Sequence, residues 1–213
     1  LKVKVQNTRI ILLSALLLSG SVLQAVLAEE HTGGDPVAGR AKVEICTACH
    51  TSDGNSIVPS YPKLAGQGEK YLLRQMRAIK SGAWPIPEMT GQLDSFSDQD
   101  LQDVAAFYAG QAMSPGATDP ALADLGQQIY QGGIRARGVP ACTACHAPDG
   151  AGNYAAGYPH LAGQHAEYIK ERLEEYRGSA EVYDEISTIM ADIATPMTPL
   201  EIEAVASYIA GLR

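Results

Sequence analysis

Cysteine and positive charge are scarce in this chain. Four cysteines in 213 residues are too few for a disulfide-dense scaffold of this length. Sixteen basic residues stand against 24 acidic ones, a formal charge of −8, which argues against a nucleic-acid binder with a basic face. Twelve Pro and 21 Gly occur without a collagen-like period, and only 6% of residues are aromatic. With 46% apolar and 19% charged residues, the composition is globular, not disordered. No stretch alternates polar and apolar residues as a half-buried strand does. After the N-terminal segment no second long apolar run exists, so no further membrane span is expected.

That first segment has a pattern of its own. Lys2, Lys4 and Arg9 precede an uncharged stretch from Ile10 to Ala28, which ends Val26-Leu27-Ala28 before Glu29. This is the layout of a secretory signal peptide, with cleavage expected after Ala28. Ser14, Ser19, Gly20, Ser21 and Gln24 interrupt the stretch and weaken its reading as a retained anchor. Residues 1–28 contain three basic and no acidic residues, so their removal takes the charge from −8 to −11. Residues 29–115 carry −4 of that and residues 116–213 carry −7. Such a surface favours a basic docking patch on a partner and salt-sensitive association.

The rest of the chain is an internal repeat. Cys46-Thr47-Ala48-Cys49-His50 returns as Cys142-Thr143-Ala144-Cys145-His146. Tyr61-Pro62-Lys63-Leu64-Ala65-Gly66-Gln67 returns as Tyr158-Pro159-His160-Leu161-Ala162-Gly163-Gln164. The segment from Leu101 to Gly110 returns from Ile202 to Gly211. Two homologous domains are therefore expected at 29–112 and 121–213, joined by the Pro- and Gly-containing linker 113–120.

Each half reads as helical. Short helices are expected over Val37–Ile45 and Ala121–Tyr130, and amphipathic ones over Gln67–Ser81 and Gln164–Arg177. Ser97 caps an acidic first turn, and Thr198-Pro199-Leu200-Glu201 forms a capping box with Pro at the first helical position. Gly39 with Val43, and Gly126 with Tyr130, have the spacing for a close crossing between the first and last helices. Residues 50–66 and 147–163 are long, polar and Gly-rich, and a domain of fewer than 100 residues built this way has little core of its own.

CxxCH supplies the missing core, because it is the attachment signature of c-type haem. Two thiols add to the porphyrin vinyl groups, and the following His meets the iron. Zinc would need its thiolates brought together or a downstream His pair. A thioredoxin-like redox motif would need a strand–helix unit. The proximal His needs a partner for its other ring nitrogen, and Pro62 lies 12 residues after His50, Pro159 13 after His146. For the sixth ligand, Met89 and Met190 stand at the same offset, eight residues before the caps Ser97 and Thr198. Met197 is the rival in the second half, but its repeat partner is Phe96, which cannot ligate iron, so it reads as packing. Met76 falls on the apolar stripe of a helix and reads as core. His160 and His165 occur only in the second repeat, opposite Lys63 and Gly68, and read as surface residues.

Together, the doubled CxxCH, the twin YPxLAGQ segments, PEM before SDQDLQDVAAFYAG, and MADIATPMTPLEIEAVASYIAGL resemble the dihaem cytochrome c4 family across essentially the whole chain after residue 28. The resemblance implies an all-α protein of two tandem class I cytochrome c domains. These would be related by pseudo-two-fold symmetry, each wrapped around a covalent haem, with the haem edges facing across the interface. It implies Cys46, Cys49, His50 and Met89 for one haem, and Cys142, Cys145, His146 and Met190 for the other. It also implies electron carriage in the periplasm, loosely held at the membrane, between redox partners such as a cytochrome bc1-type donor and a terminal oxidase, with no catalysis of its own. The competing assignments are the dihaem subunit of a flavocytochrome c type dehydrogenase complex and, if one iron were left open, a haem enzyme or ligand sensor. The second repeat departs in lacking a match for Trp84 and in a loop at 178–189 that is about four residues longer and acidic.

Overall fold

The computed structural model describes residues 33–178 and 182–213. The expected signal segment and His31 lie outside the described residues. Among those described, the elements are helices α1 (Pro36–Arg40), α2 (Thr47–His50), α3 (Glu69–Ser81), α4 (Asp98–Ala109), α5 (Ala123–Gly132), α6 (Thr143–His146), α7 (Ala166–Gly178), α8 (Glu185–Ala194) and α9 (Pro199–Ala210), with short 3-10 turns between. Strand pairing is limited to the isolated bridges Ile134–Val139 and Asn153–Tyr158. None of these helices is long and apolar enough to cross a membrane.

Each half is organised by one crossing between its first and last helices, α1 on α4 and α5 on α9. Glycine permits the approach. A Cβ on Gly39 would stand 2.0 Å from the Asp103 carbonyl oxygen, and one on Gly126 2.3 Å from that of Ala204. The last helices start where local chemistry dictates. Ser97 with Asp100, and Thr198 with Glu201, each form a reciprocal capping box, which satisfies otherwise orphaned amides at the helix start. Helix α3 packs on α4, and α7 packs on both α8 and α9. Val43, Leu72, Val104, Phe107 and Tyr108 centre one core. Ile129, Tyr130, Ile169, Leu173, Met197, Ile202 and Val205 centre the other.

The second half departs from the expected loop at 178–189. Helix α7 runs to Gly178 and α8 begins at Glu185, so much of the extra length is helical. Asp184 closes a capping box with Ser187, a local start signal that the acidic composition of the segment conceals.

The described residues form one compact body. The linker is pinned to both halves. The Ser114 amide donates to Asn55 Oδ1 at 2.7 Å, and the Asp119 amide donates to Ser207 Oγ at 2.9 Å. Trp84 closes the interface by stacking on Tyr183 with ring centroids 5.7 Å apart, while the Arg172 guanidinium lies 4.0 Å from the Trp84 ring. His160 and His165 are half-buried here and not on the free surface. His165 Nε2 is 2.9 Å from the Ser56 carbonyl, and His160 Nδ1 is 3.3 Å from that of Gly66. Their repeat partners, Lys63 and Gly68, gave no sign of this, because the contacts join segments about a hundred residues apart.

Candidate haem sites

Each CxxCH motif folds as a single helical turn, which brings its two sulfurs and its imidazole to one place. Cys46 ends a 3-10 turn and leads directly into α2, which holds Cys49 and His50. Cys142 caps α6, which holds Cys145 and His146. None of the four cysteines is paired in a disulfide. The backbone turns sharply after each His, where Thr51 and Ala147 both have φ of 65°, a region that L residues rarely adopt. That turn sends the following loop back over the imidazole. Thr51 Oγ1 and the Asn55 side chain and amide bond the Asp53 carboxylate. The Thr51 and Asn55 bonds hold its pKa at about 2.

Both imidazoles are buried, His50 at 8% and His146 at 7% exposure. His50 Nδ1 lies 2.9 Å from the Pro62 carbonyl oxygen, and His146 Nδ1 lies 3.1 Å from that of Pro159. A carbonyl can only accept, so Nδ1 carries the proton and Nε2 is the nitrogen left to meet a metal. Burial lowers the pKa of both rings, partly offset by these carbonyls, and so favours the neutral, ligating form.

The remaining predicted residues come from separate elements. Met89 ends the 3-10 turn Pro87–Met89 and is half-buried. Met190 lies in α8, half-buried against the second core. Met197 is 5% exposed within that core, and Met76 packs against the first.

Two tyrosines that the sequence places at the helix crossings as packing also reach the haem-attachment turns or their loops. Tyr108 from α4 and Tyr130 from α5 are buried at 1% and 0% exposure. Tyr130 Oη donates to the Ala147 carbonyl at 2.7 Å, immediately after His146. Tyr108 Oη is buried without a hydrogen-bond partner. Neither tyrosine has a tyrosine at the matching repeat position, so the repeat alignment gave no signal.

This arrangement fits covalent haem. Each half carries two cysteines and a carbonyl-oriented imidazole on one helical turn, and one buried phenol is left without a partner. Among the described residues, no three His, Cys, Asp or Glu side chains gather to hold a metal ion unaided, as a zinc site would require.

Comparison with known proteins agrees. The family model for cytochrome c matches residues 37–110 and 123–213, one segment in each half. Cytochrome c4 of Azotobacter vinelandii is 49% identical over 192 residues, covering 86% of this chain and 91% of that protein. Cytochrome c4 of Pseudomonas aeruginosa is 50% identical over 183 residues, with the same coverage of 86% and 91%. The crystal structure of reduced recombinant cytochrome c4 from Pseudomonas stutzeri superposes with a TM-score of 0.82 at 48% identity, covering 84% of this chain and all of that one. With its repeated haem-attachment turns and its two helical halves, the chain belongs to the cytochrome c4 family of dihaem electron carriers.

Proposed function

We propose that this chain is a periplasmic single-electron shuttle between respiratory partners, from a cytochrome bc1-type donor towards a terminal oxidase, with residues 29–112 and 121–213 as its two redox domains. The haems supply one-electron Fe(III)/Fe(II) chemistry. Cys46, Cys49, Cys142 and Cys145 would hold the haems by thioether bonds, and His50 with Met89, and His146 with Met190, would ligate their irons. Pro62 and Pro159 orient the two imidazoles. A His/Met pair leaves no open iron position for a substrate, and it raises the potential relative to bis-His ligation.

The observation that carries this reading is the pair of buried imidazoles, each with Nδ1 committed to a proline carbonyl. A ligand fixed in this way rearranges little between oxidation states. The export pattern of residues 1–28 supports a periplasmic location. The acidic surface supports docking on basic partners, with peripheral attachment at the membrane.

Optical spectroscopy of the purified protein tests the ligand set. Two Met–iron charge-transfer bands in the ferric form, and no CO binding in the ferrous form, are expected. Met190→Ala should remove one band and admit CO, whereas Met197→Ala should keep both bands. A band lost in Met197→Ala would move the ligand to Met197. CO binding by the unaltered protein would overturn the closed-shuttle reading.

A further inference from the structure

We infer that Gln67 and Gln164 are positioning residues that each act on the haem site of the opposite half, through a single peptide group. The inference rests on the assignment of His50 and His146 as proximal ligands.

The Pro62–Lys63 peptide is held at both ends. Its carbonyl oxygen, on Pro62, lies 2.9 Å from His50 Nδ1. Its N–H, on Lys63, donates to Gln164 Oε1 at 2.8 Å. Gln164 Nε2 also donates to the Lys63 carbonyl at 2.9 Å. Because one side-chain amide meets both a donor and an acceptor of the same residue, its orientation is fixed.

The mirror arrangement exists in the second half. The Pro159 carbonyl lies 3.1 Å from His146 Nδ1. The amide of the same peptide, on His160, donates to Gln67 Oε1 at 3.0 Å. Gln67 Nε2 donates to the His160 carbonyl at 2.6 Å. Both glutamines are buried, at 4% and 3% exposure, so water does not compete for these bonds.

Hydrogen bonds in series polarise one another in a low-dielectric interior. A peptide whose N–H is pulled by a glutamine oxygen has a more negative carbonyl oxygen. That carbonyl accepts more strongly from the imidazole N–H, which makes the ring a more basic ligand. A more basic ligand favours ferric iron. Gln164 therefore lowers the potential of the N-terminal haem, and Gln67 that of the C-terminal haem. Each half sets part of the redox poise of the other, so separation of the halves would change both.

Simple adhesion between the halves makes a different prediction, because loss of adhesion has no preferred haem. The test compares Gln164→Leu and Gln67→Leu in the full dihaem protein. Hyperfine-shifted resonances of each proximal His and its haem methyls would be recorded in the ferric form, with the potential of each haem measured by titration. Gln164→Leu should move the His50 resonances and raise the N-terminal potential, with a smaller change at the C-terminal haem. Gln67→Leu should do the reverse. Gln164→Glu, which places an anionic acceptor at the Lys63 amide, should shift the N-terminal haem in the opposite direction from Gln164→Leu and more than it shifts the C-terminal haem. Shifts at the variant's own haem, equal shifts at both haems, or no shift would each overturn the proposal. If Gln164→Leu does not fold, the Gln67→Leu and Gln164→Glu results decide alone. Failure of the underlying ligand assignment is distinct, because the unaltered protein would then show no His-ligated haem signature in one half.

Discussion

The two halves carry the same haem-attachment turn on two differently built helix crossings. In the first half the crossing is ionic. Asp103 in α4 accepts from the Asp35 amide at 2.9 Å, from Lys42 Nζ at 2.7 Å and from Gln99 Nε2 at 2.8 Å, and Lys42 also pairs with Asp100. In the second half the positions matching Lys42 and Asp103 are Ile129 and Ala204, buried at 3% and 0% exposure. The large aromatic also changes sides. Tyr108 on the last helix of one half corresponds to Ile209, and Val43, in the 3-10 turn after α1, corresponds to Tyr130 in α5. Each half thus buries one of these tyrosines against an aliphatic partner, but from opposite sides of its crossing. The shared requirement is a filled, close crossing behind the attachment turn, and it constrains volume and approach more tightly than residue identity.

The glycines test what the halves share. Gly39→Ala and Gly126→Ala should each destabilise by about 3 kcal/mol, because the added methyl meets backbone and not a movable side-chain end. Denaturant unfolding followed by circular dichroism measures this. A cost below about 1 kcal/mol in either half would show that its crossing can open without loss.

Asp103 tests what they do not share. Asp103→Ala should cost about 2–3 kcal/mol, since it leaves the Asp35 amide without its acceptor and Lys42 without its buried partner. Burial alone would raise the Asp103 carboxyl, but Lys42, the Asp35 amide and Gln99 together hold it below the usual carboxylate range. A carboxyl depressed in the folded state contributes stability that is present above its unfolded pKa of about 3.9 and is lost as pH falls through the lower folded value. Acidification from about pH 4 downward should therefore loosen the first half before the second. Helicity measured across that range should fall less steeply in Asp103→Asn. An equal slope in the variant would remove Asp103 as the source.

What the sequence revealed was local or repeated. The attachment turns are contiguous pentapeptides, and the capping residues Ser97 and Thr198 act within three residues of themselves. The crossing glycines showed because both halves have one at the same step before Val43 or Tyr130. What stayed hidden was reciprocal across the interface. Gln67 and Gln164 are plainly a repeated pair, yet nothing in their spacing says that each bonds the other half's backbone. His160 and His165 looked exposed because their partners, Gly66 and Ser56, belong to the other repeat. Helix α8 was obscured because an acidic, lengthened segment reads as loop until its Asp184–Ser187 cap is seen. The tyrosine exchange escaped because alignment compares like positions, whereas the packing compensates between unlike ones.

That exchange gives the smallest of the expected effects. Tyr130→Phe removes a buried hydrogen bond to the Ala147 carbonyl and should destabilise by about 1 kcal/mol. The Ala147 carbonyl belongs to the turn that follows His146, so the variant should also broaden the resonances of the C-terminal proximal His. Tyr108→Phe removes a hydroxyl that is buried without a hydrogen-bond partner, so its cost should be near zero or slightly favourable. Thermal unfolding of the two variants side by side reads the difference. A Tyr108→Phe cost equal to that of Tyr130→Phe would mean that the Tyr108 hydroxyl is bonded as firmly as that of Tyr130. The two phenols would then be functional equivalents reached from opposite helices, and the contrast between the halves would reduce to the ionic staple at Asp103.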